Sequence, residues 1–357
     1  MSRFLPVIIL VSFLVSNCSL RQVDDEYLAS LPEYRCSLSP EDSLDLDQFD
    51  LRLPSSLIKY DQWIVVALSQ ARYNLAAIDL NTKSKMDLIA VGRGPGEMLS
   101  GGNLHLNGTE AVLTESNDLT TVSLDMAEFE VGTIPQIDTV GVFKTVKNAY
   151  YLIRQVNGGF VSPVPFYNTF GGDAWYSLWD VDGYVGNSIP RPRVPGFEKA
   201  SPSTIASFYG SDLIAVHPDK DRVCVSLVGM AAVSFSRVID RELKEIKRLE
   251  YNEPLLDFDG EEAFIPMRED RTCFTGITSD REYVYLLYSG RKWTMDPDEI
   301  PSYEANHLVV YDWDGNYVAR FYLSRNVLGI FVDEGKLYCL SQFPSNKLFI
   351  YSVPELS

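Results

Sequence analysis

The sequence predicts an all-β fold: a six-bladed β-propeller of four-stranded antiparallel blades, with the last blade closed by an N-terminal strand. Three observations predict it. An apolar residue followed by Asp recurs at Ile78-Asp79, Leu124-Asp125, Trp179-Asp180, Ile239-Asp240 and Tyr311-Asp312, with Tyr351-Ser352 as a frayed sixth copy. Each copy is preceded by a second echo, a polar turn and an apolar run, at 61–67, 109–114, 148–153, 221–227, 281–287 and 335–340. The copies stand roughly 40–70 residues apart, the spacing of propeller blades carrying insertions.

The clearest unit is built around His307 to Leu323, HLVVYDWDGNYVARFYL, two alternating apolar runs on either side of a turn sequence. That is a hairpin signal. With 273–278 and 283–288 before it, the unit reads as a four-stranded meander. The final unit supplies runs at 327–332, 336–340 and 348–353 but no fourth. An open ring would leave a bare sheet edge, so the alternating stretch 44–53 is expected to close it. Residues 241–250 have the one helical look in this pattern, yet they occupy an outer-strand position.

Apolar residues make up 46% of the 357, and 20 Tyr, 18 Phe and 5 Trp supply aromatic mass for half-buried strands. The net charge of −18 disfavours attraction to nucleic acid or to an anionic membrane surface. The expected domains are a signal peptide over 1–17, a tether over 18–43 and the propeller over 44–357. The leader MSRFLPVIILVSFLVSNC has one positive residue and an apolar run too short to span a bilayer. Leu14-Val15-Ser16-Asn17-Cys18 resembles a lipoprotein box, which makes Cys18 the lipidated first residue, although Asn17 departs from the usual small residue. Ordinary cleavage nearby is the other reading. If 19–35 is only tether, deleting it is harmless, whereas deleting 19–54 uncovers the closing edge.

Val91 to Glu97, VGRGPGE, follows the last strand of the first unit. This loop, together with the leader cysteine, the six units and the length, resembles the TolB-like six-bladed propeller lipoproteins of the Bacteroides group. The resemblance implies an exported outer-membrane lipoprotein, periplasmic or surface-facing, with the membrane engaged through its lipid alone. It brings no catalytic residues. A phosphate-cradling role for the loop lacks the following Lys-Ser/Thr and helix. Arg93 and Glu97 either brace the loop or face a ligand.

No cofactor and no metal is expected. His105, His217 and His307 are scattered without metal spacing, and no serine elbow is present. Cys36, Cys224, Cys273 and Cys339 match no zinc pattern; a disulfide among them stays open, with buried free thiols preferred for Cys224 and Cys339. The Asp-rich pieces at 180–183 and 312–315 read as hairpin turns, not calcium loops.

The informative signal is where the extra length lies. In alternating strands, the second-to-third and fourth-to-first connections share one face, and the insertions 155–173, 188–203, 254–271 and 289–306 all fall there. Loops on one face of a rigid frame carry function in repeat scaffolds. The candidate ligand-binding residues are therefore Arg93, Arg191, Arg193, Arg268, Arg271, Arg291, Trp293, Phe166 and Tyr167, residue types that anchor partners and stack on sugars. Packing of these side chains onto the blades is the competing reading. Arg93 and Arg271 are expected at the mouth of the central channel. The function expected is a lipid-anchored envelope binding module for a glycan, peptide or envelope protein. The alternative is a polysaccharide lyase or glycosidase at the channel mouth, with no catalytic residue assignable from sequence.

Overall fold

The computed structural model describes residues 25–356, except 70, 95, 116–120, 131–132, 134–135, 140–152, 165–172, 181–184, 210–211, 267–269, 295 and 297. Six four-stranded antiparallel sheets form a ring; blades one to five run in chain order from the axis outward, and blade six takes its outer strand from the N-terminal segment. Blade one is Pro54–Tyr60, Trp63–Leu68, Tyr73–Asp79 and Lys85–Ala90. Blade two is Asn103–Asn107, Glu110–Thr114, Thr121–Asp125 and Ile137–Thr139. Blade three is Arg154–Val156, Gly159–Pro163, Ala174–Trp179 and Val185–Pro190, and blade four is Asp212–Val216, Arg222–Leu227, Ala231–Ile239 and Glu242–Tyr251. Blade five is Arg271–Ser279, Tyr283–Lys292, Ala305–Asp312 and Tyr317–Val327, and blade six is Gly329–Asp333, Lys336–Ser341 and Lys347–Ser352.

Middle strands are sandwiched between neighbouring blades, so they are apolar on both faces: every residue of Trp63–Leu68 is buried. Core clusters accordingly span the joints, one joining blades one and two through Trp63, Leu104 and Leu124, another joining three and four through Trp175, Val225 and Leu243. Outer strands meet solvent and are polar, which explains why Glu242–Tyr251 folds as a strand despite its charged composition.

The recurring Asp closes the turn between the third and fourth strands. Asp79 Oδ1 accepts from the Asn81 and Thr82 amides at 2.7 and 3.2 Å, and Asp312 Oδ1 from the Asp314 and Asn316 amides at 2.9 and 2.8 Å. In the latter turn Gly315 takes φ +77°, where glycine is unstrained.

Closure uses the N-terminal segment, with a shorter strand than the expected 44–53. Asp42–Asp45 pairs antiparallel with Lys347–Ser352, Leu44 opposite Leu348. Asp47–Phe49 is a 3-10 turn, and Asp50 and Leu53 take positive φ as the chain crosses to blade one. Leu46 and Leu51, which complete the leucine alternation, are buried in this crossing instead of in a strand.

The segment expected as a tether is partly packed. Glu26–Ser30 is a helix capped by Asp25, and Cys36–Leu38 adds a fifth, parallel strand outside Tyr317–Val327. Blade three also differs: its second strand is Gly159–Pro163, not 148–153, most of which lies outside the described residues. Phe160 therefore stands on a strand opposite Trp179, and not in an insertion. Cys224, Cys273 and Cys339 are buried free thiols, and Cys36 is exposed and free. Among the described residues no helix is long and apolar enough to cross a membrane.

Candidate functional site

All long connections among the described residues except 126–136 leave the ring on one face, the face where each inner strand begins. The connection from blade three to four carries the helix Pro202–Tyr209, and that from four to five carries a hairpin, Asp257–Asp259 with Glu262–Phe264. Between blades four and five this face opens into a cleft of about 810 Å³, lined by Glu26, Glu250, Tyr251, Asn252, Asp270, Arg271, Cys273 and Lys292 among others.

Arg271 and Lys292 stand opposite each other in adjacent strands. The Arg271 guanidinium donates to the Gly290 carbonyl at 2.8 Å, which fixes it at the inner end of the cleft. Asp270 beside it is pushed up to about 6 by burial, against the lowering pull of the Arg271 and Leu255 amides and the Arg271 charge. Burial raises the Cys273 thiol far above its ordinary range, so the sulfur in the cleft wall is a neutral hydrophobe.

The N-terminal helix makes the other wall. Asn252, held at φ +52°, donates to Asp25 at 2.9 Å and to the Tyr288 hydroxyl at 2.6 Å, and Tyr288 donates to Asp25 at 2.6 Å. Leu255, 51% exposed, lines the cleft, and further along the same connection the hairpin exposes Phe258 (49%) and Phe264 (37%) around a separate pocket. Trp293, next to Lys292, is exposed as well. Phe258 and Phe264 both fall in the predicted insertion 254–271, yet neither is among the candidate residues named from the sequence.

The other candidates divide. Arg191 is buried, donating to the Val164 carbonyl and lying over the Tyr209 ring at 5.2 Å. Arg291 donates to the Glu304 carbonyl and to Asn326. For both, burial lowers the guanidinium pKa, and both hold loops together instead of facing solvent. Arg193 is exposed. Arg93 is exposed, three residues past the outermost strand of blade one. In the same loop Glu97 braces the turn, accepting the Gly94 amide at 2.7 Å, and a Cβ on Gly92 would collide with its carboxylate. Arg268, Phe166, Tyr167 and Cys18 lie outside the described residues.

Carboxylates outnumber cations along the cleft: Glu26, Glu250, Glu253 and Asp270 against Arg271 and Lys292. The arrangement suits a neutral or basic ligand better than an anionic one. Among the described residues no three His, Cys, Asp or Glu side chains gather as metal ligands.

No curated protein matches the chain in sequence. Among solved structures it is similar to a protein of Bacteroides fragilis NCTC 9343 whose name describes it as exported, at 8% identity and TM-score 0.51, covering 88% of this chain and 98% of that one. It is also similar to regucalcin, a calcium-binding protein of Agrobacterium tumefaciens, at 11% identity and TM-score 0.47, covering 90% and 97% of the two chains. At these identities the likeness is one of fold. A family model, described as TolB-like 6-blade propeller-like, matches residues 39–335, and the chain belongs to that family.

Proposed function

We propose that this protein is a lipid-anchored binding module of the cell envelope that holds a glycan or peptide segment of an envelope partner on its insertion-bearing face. The observation that carries the reading is the cleft between blades four and five, lined by charged groups and the exposed Leu255, on the connection that also exposes Phe258 and Phe264. Aromatic faces stack on sugar rings or on apolar side chains, and the flanking charges fix orientation. Display from the envelope is supported by the leader with Cys18 and by the fold neighbour whose name describes it as exported.

The reading is tested by glycan-array and pull-down measurements on the wild type, Phe258→Ala, Trp293→Ala and Arg271→Ala. A ligand retained by the wild type and lost by Phe258→Ala and Arg271→Ala is expected. Equal retention by all four proteins, or no ligand for any, would overturn it.

One observation favours the second reading, a glycosidase or lyase. Asp270, pushed up to about 6 by burial, shares the cleft with Glu250 and Glu253, and glycoside cleavage works with a pair of carboxyl groups, one of them held protonated. Asp270→Asn separates the two: a binding module keeps its ligand, and an enzyme keeps the ligand while losing turnover.

A further inference from the structure

At the joint between blades two and three the inner strands face each other with polar side chains. Along Asn103–Asn107 the even residues Leu104 and Leu106 pack toward blade one, which turns Asn103, His105 and Asn107 toward blade three. There Asn107 donates to Gln155 at 3.1 Å, and Arg154 donates to Asn103 Oδ1 and to the Ile153 carbonyl.

Arg154 is the group that lacks an answer. A guanidinium has five N–H donors, two of which are used here, and both acceptors are neutral. No carboxylate among the described residues pairs with it. Burial lowers it to about 9, the response of a cation with nothing to neutralise it. Beside it, His105 Nδ1 is buried without a hydrogen-bond partner, and burial followed by the Arg154 charge drives its pKa well below the ordinary histidine value. Both residues retain a little solvent contact along the channel.

We propose that the joint between the inner strands of blades two and three is a binding site for a small oxyanion, a carboxylate or a phosphate, held by the free N–H groups of Arg154 with His105 as second donor. A buried, unpaired guanidinium and an open ring nitrogen are costly separately, and one anion satisfies both. The geometry at Arg154 suits the fork-to-oxyanion contact that arginine makes better than lysine. The net charge of −18 repels polyanions at range, so the ligand is a single small anion or the one acidic terminus of a larger neutral molecule. The site lies two joints round the ring from the acidic cleft and does not depend on the function proposed for it.

The test titrates the full chain, purified after export, with galacturonate and separately with inorganic phosphate, using galactose as the uncharged control, by calorimetry and by nuclear magnetic resonance of the His105 ring. Saturable binding of one anion with no galactose binding is expected, together with a rise of the His105 pKa by about one unit or more on saturation. Whichever of the two anions binds identifies the ligand class. Arg154→Gln should weaken binding by at least about tenfold, and Arg154→Lys, which keeps the charge, by several-fold. If Arg154→Gln does not fold, Arg154→Lys and the His105 titration still decide. No saturable binding of either anion at millimolar concentration, or wild-type affinity in the lysine variant with an unmoved His105, overturns the proposal.

Discussion

The Tyr27 hydroxyl lies 3.0 Å from the Tyr311 hydroxyl, joining residues 284 positions apart. Tyr27 is fully buried, edge-on to Phe274 at 5.3 Å and tilted against Tyr288 at 4.8 Å, so the segment after the leader is a wedge between blades four and five. Removing a buried aromatic ring costs about 3–5 kcal/mol. Tyr27→Ala should lower unfolding free energy in urea by that amount. Deleting 19–35, expected from sequence to be harmless, should cost at least as much, because Asp25 and the Leu28 carbonyl that Arg320 donates to go with it. Wild-type stability in the deletion would show that the wedge contributes nothing.

Asp212 begins the inner strand of blade four, buried, with the Trp175 indole donating to it at 2.8 Å. Burial pushes it up to about 7, against the lowering effects of that hydrogen bond and of Arg191. The folded pKa lies above the unfolded one, so between about pH 4 and 7 the folded chain binds the extra proton. Asp212 thus contributes stability fully present below pH 4 and lost as pH rises through 7, on the order of 2–4 kcal/mol. His307, lowered to about 4 mainly by burial, acts in the opposite sense between its folded pKa and about 6.5, so the wild type alone does not isolate Asp212. Asp212→Asn keeps the acceptor and removes the titration. Urea unfolding should find it more stable than wild type at pH 8, with the advantage vanishing near pH 4; parallel curves at both pH values would refute the assignment.

How much of this was legible follows from the kind of signal each part leaves. The blades were readable because the turn aspartates recur with a local chemical reason: Asp79, Asp125 and Asp312 each cap amides two or more residues on. The second strand of blade three was illegible because Gly159–Pro163 begins with Gly and ends with Pro, residue types that weaken a strand signal. The insertion-bearing face was legible from strand parity alone. Which arginines serve it was not, because burial of Arg191 and Arg291 depends on the Val164 and Glu304 carbonyls, brought near by tertiary folding. Arg154 drew no notice, as its isolation is a matter of absent neighbours, which a sequence does not display.

The closing strand gives a third prediction. Leu44 is buried opposite Leu348, and Lys336 reaches Glu41 just before the strand. Removing 19–54 strips this strand and bares the edge of Lys347–Ser352, a template for pairing with another chain. That deletion should aggregate in sedimentation experiments. Leu44→Asp should do so partially, since it also places a carboxylate in an apolar layer at a cost of several kcal/mol. A soluble, monomeric product of the larger deletion would show that the ring does not need its closing strand.

The anchor gives a fourth. With Cys18 as the lipidated residue, six residues lie between it and Asp25, so even a fully extended link of seven steps spans only about 25 Å. The wedge that follows walls the candidate cleft through Glu26. The lipid would therefore hold the cleft close to the membrane surface, favouring a partner that lies on or emerges from it. One acyl chain gives marginal binding and two or more a stable anchor. In vivo, the protein should label with palmitate and sediment with membranes, and Cys18→Ala should abolish the label and release it. Inserting a flexible segment of twenty residues after Cys18 should leave fractionation unchanged while lowering recovery of a membrane-borne partner in pull-downs. Unaltered sedimentation of Cys18→Ala would rule out the anchor, and unaltered recovery with the long link would show that the partner does not depend on the short reach.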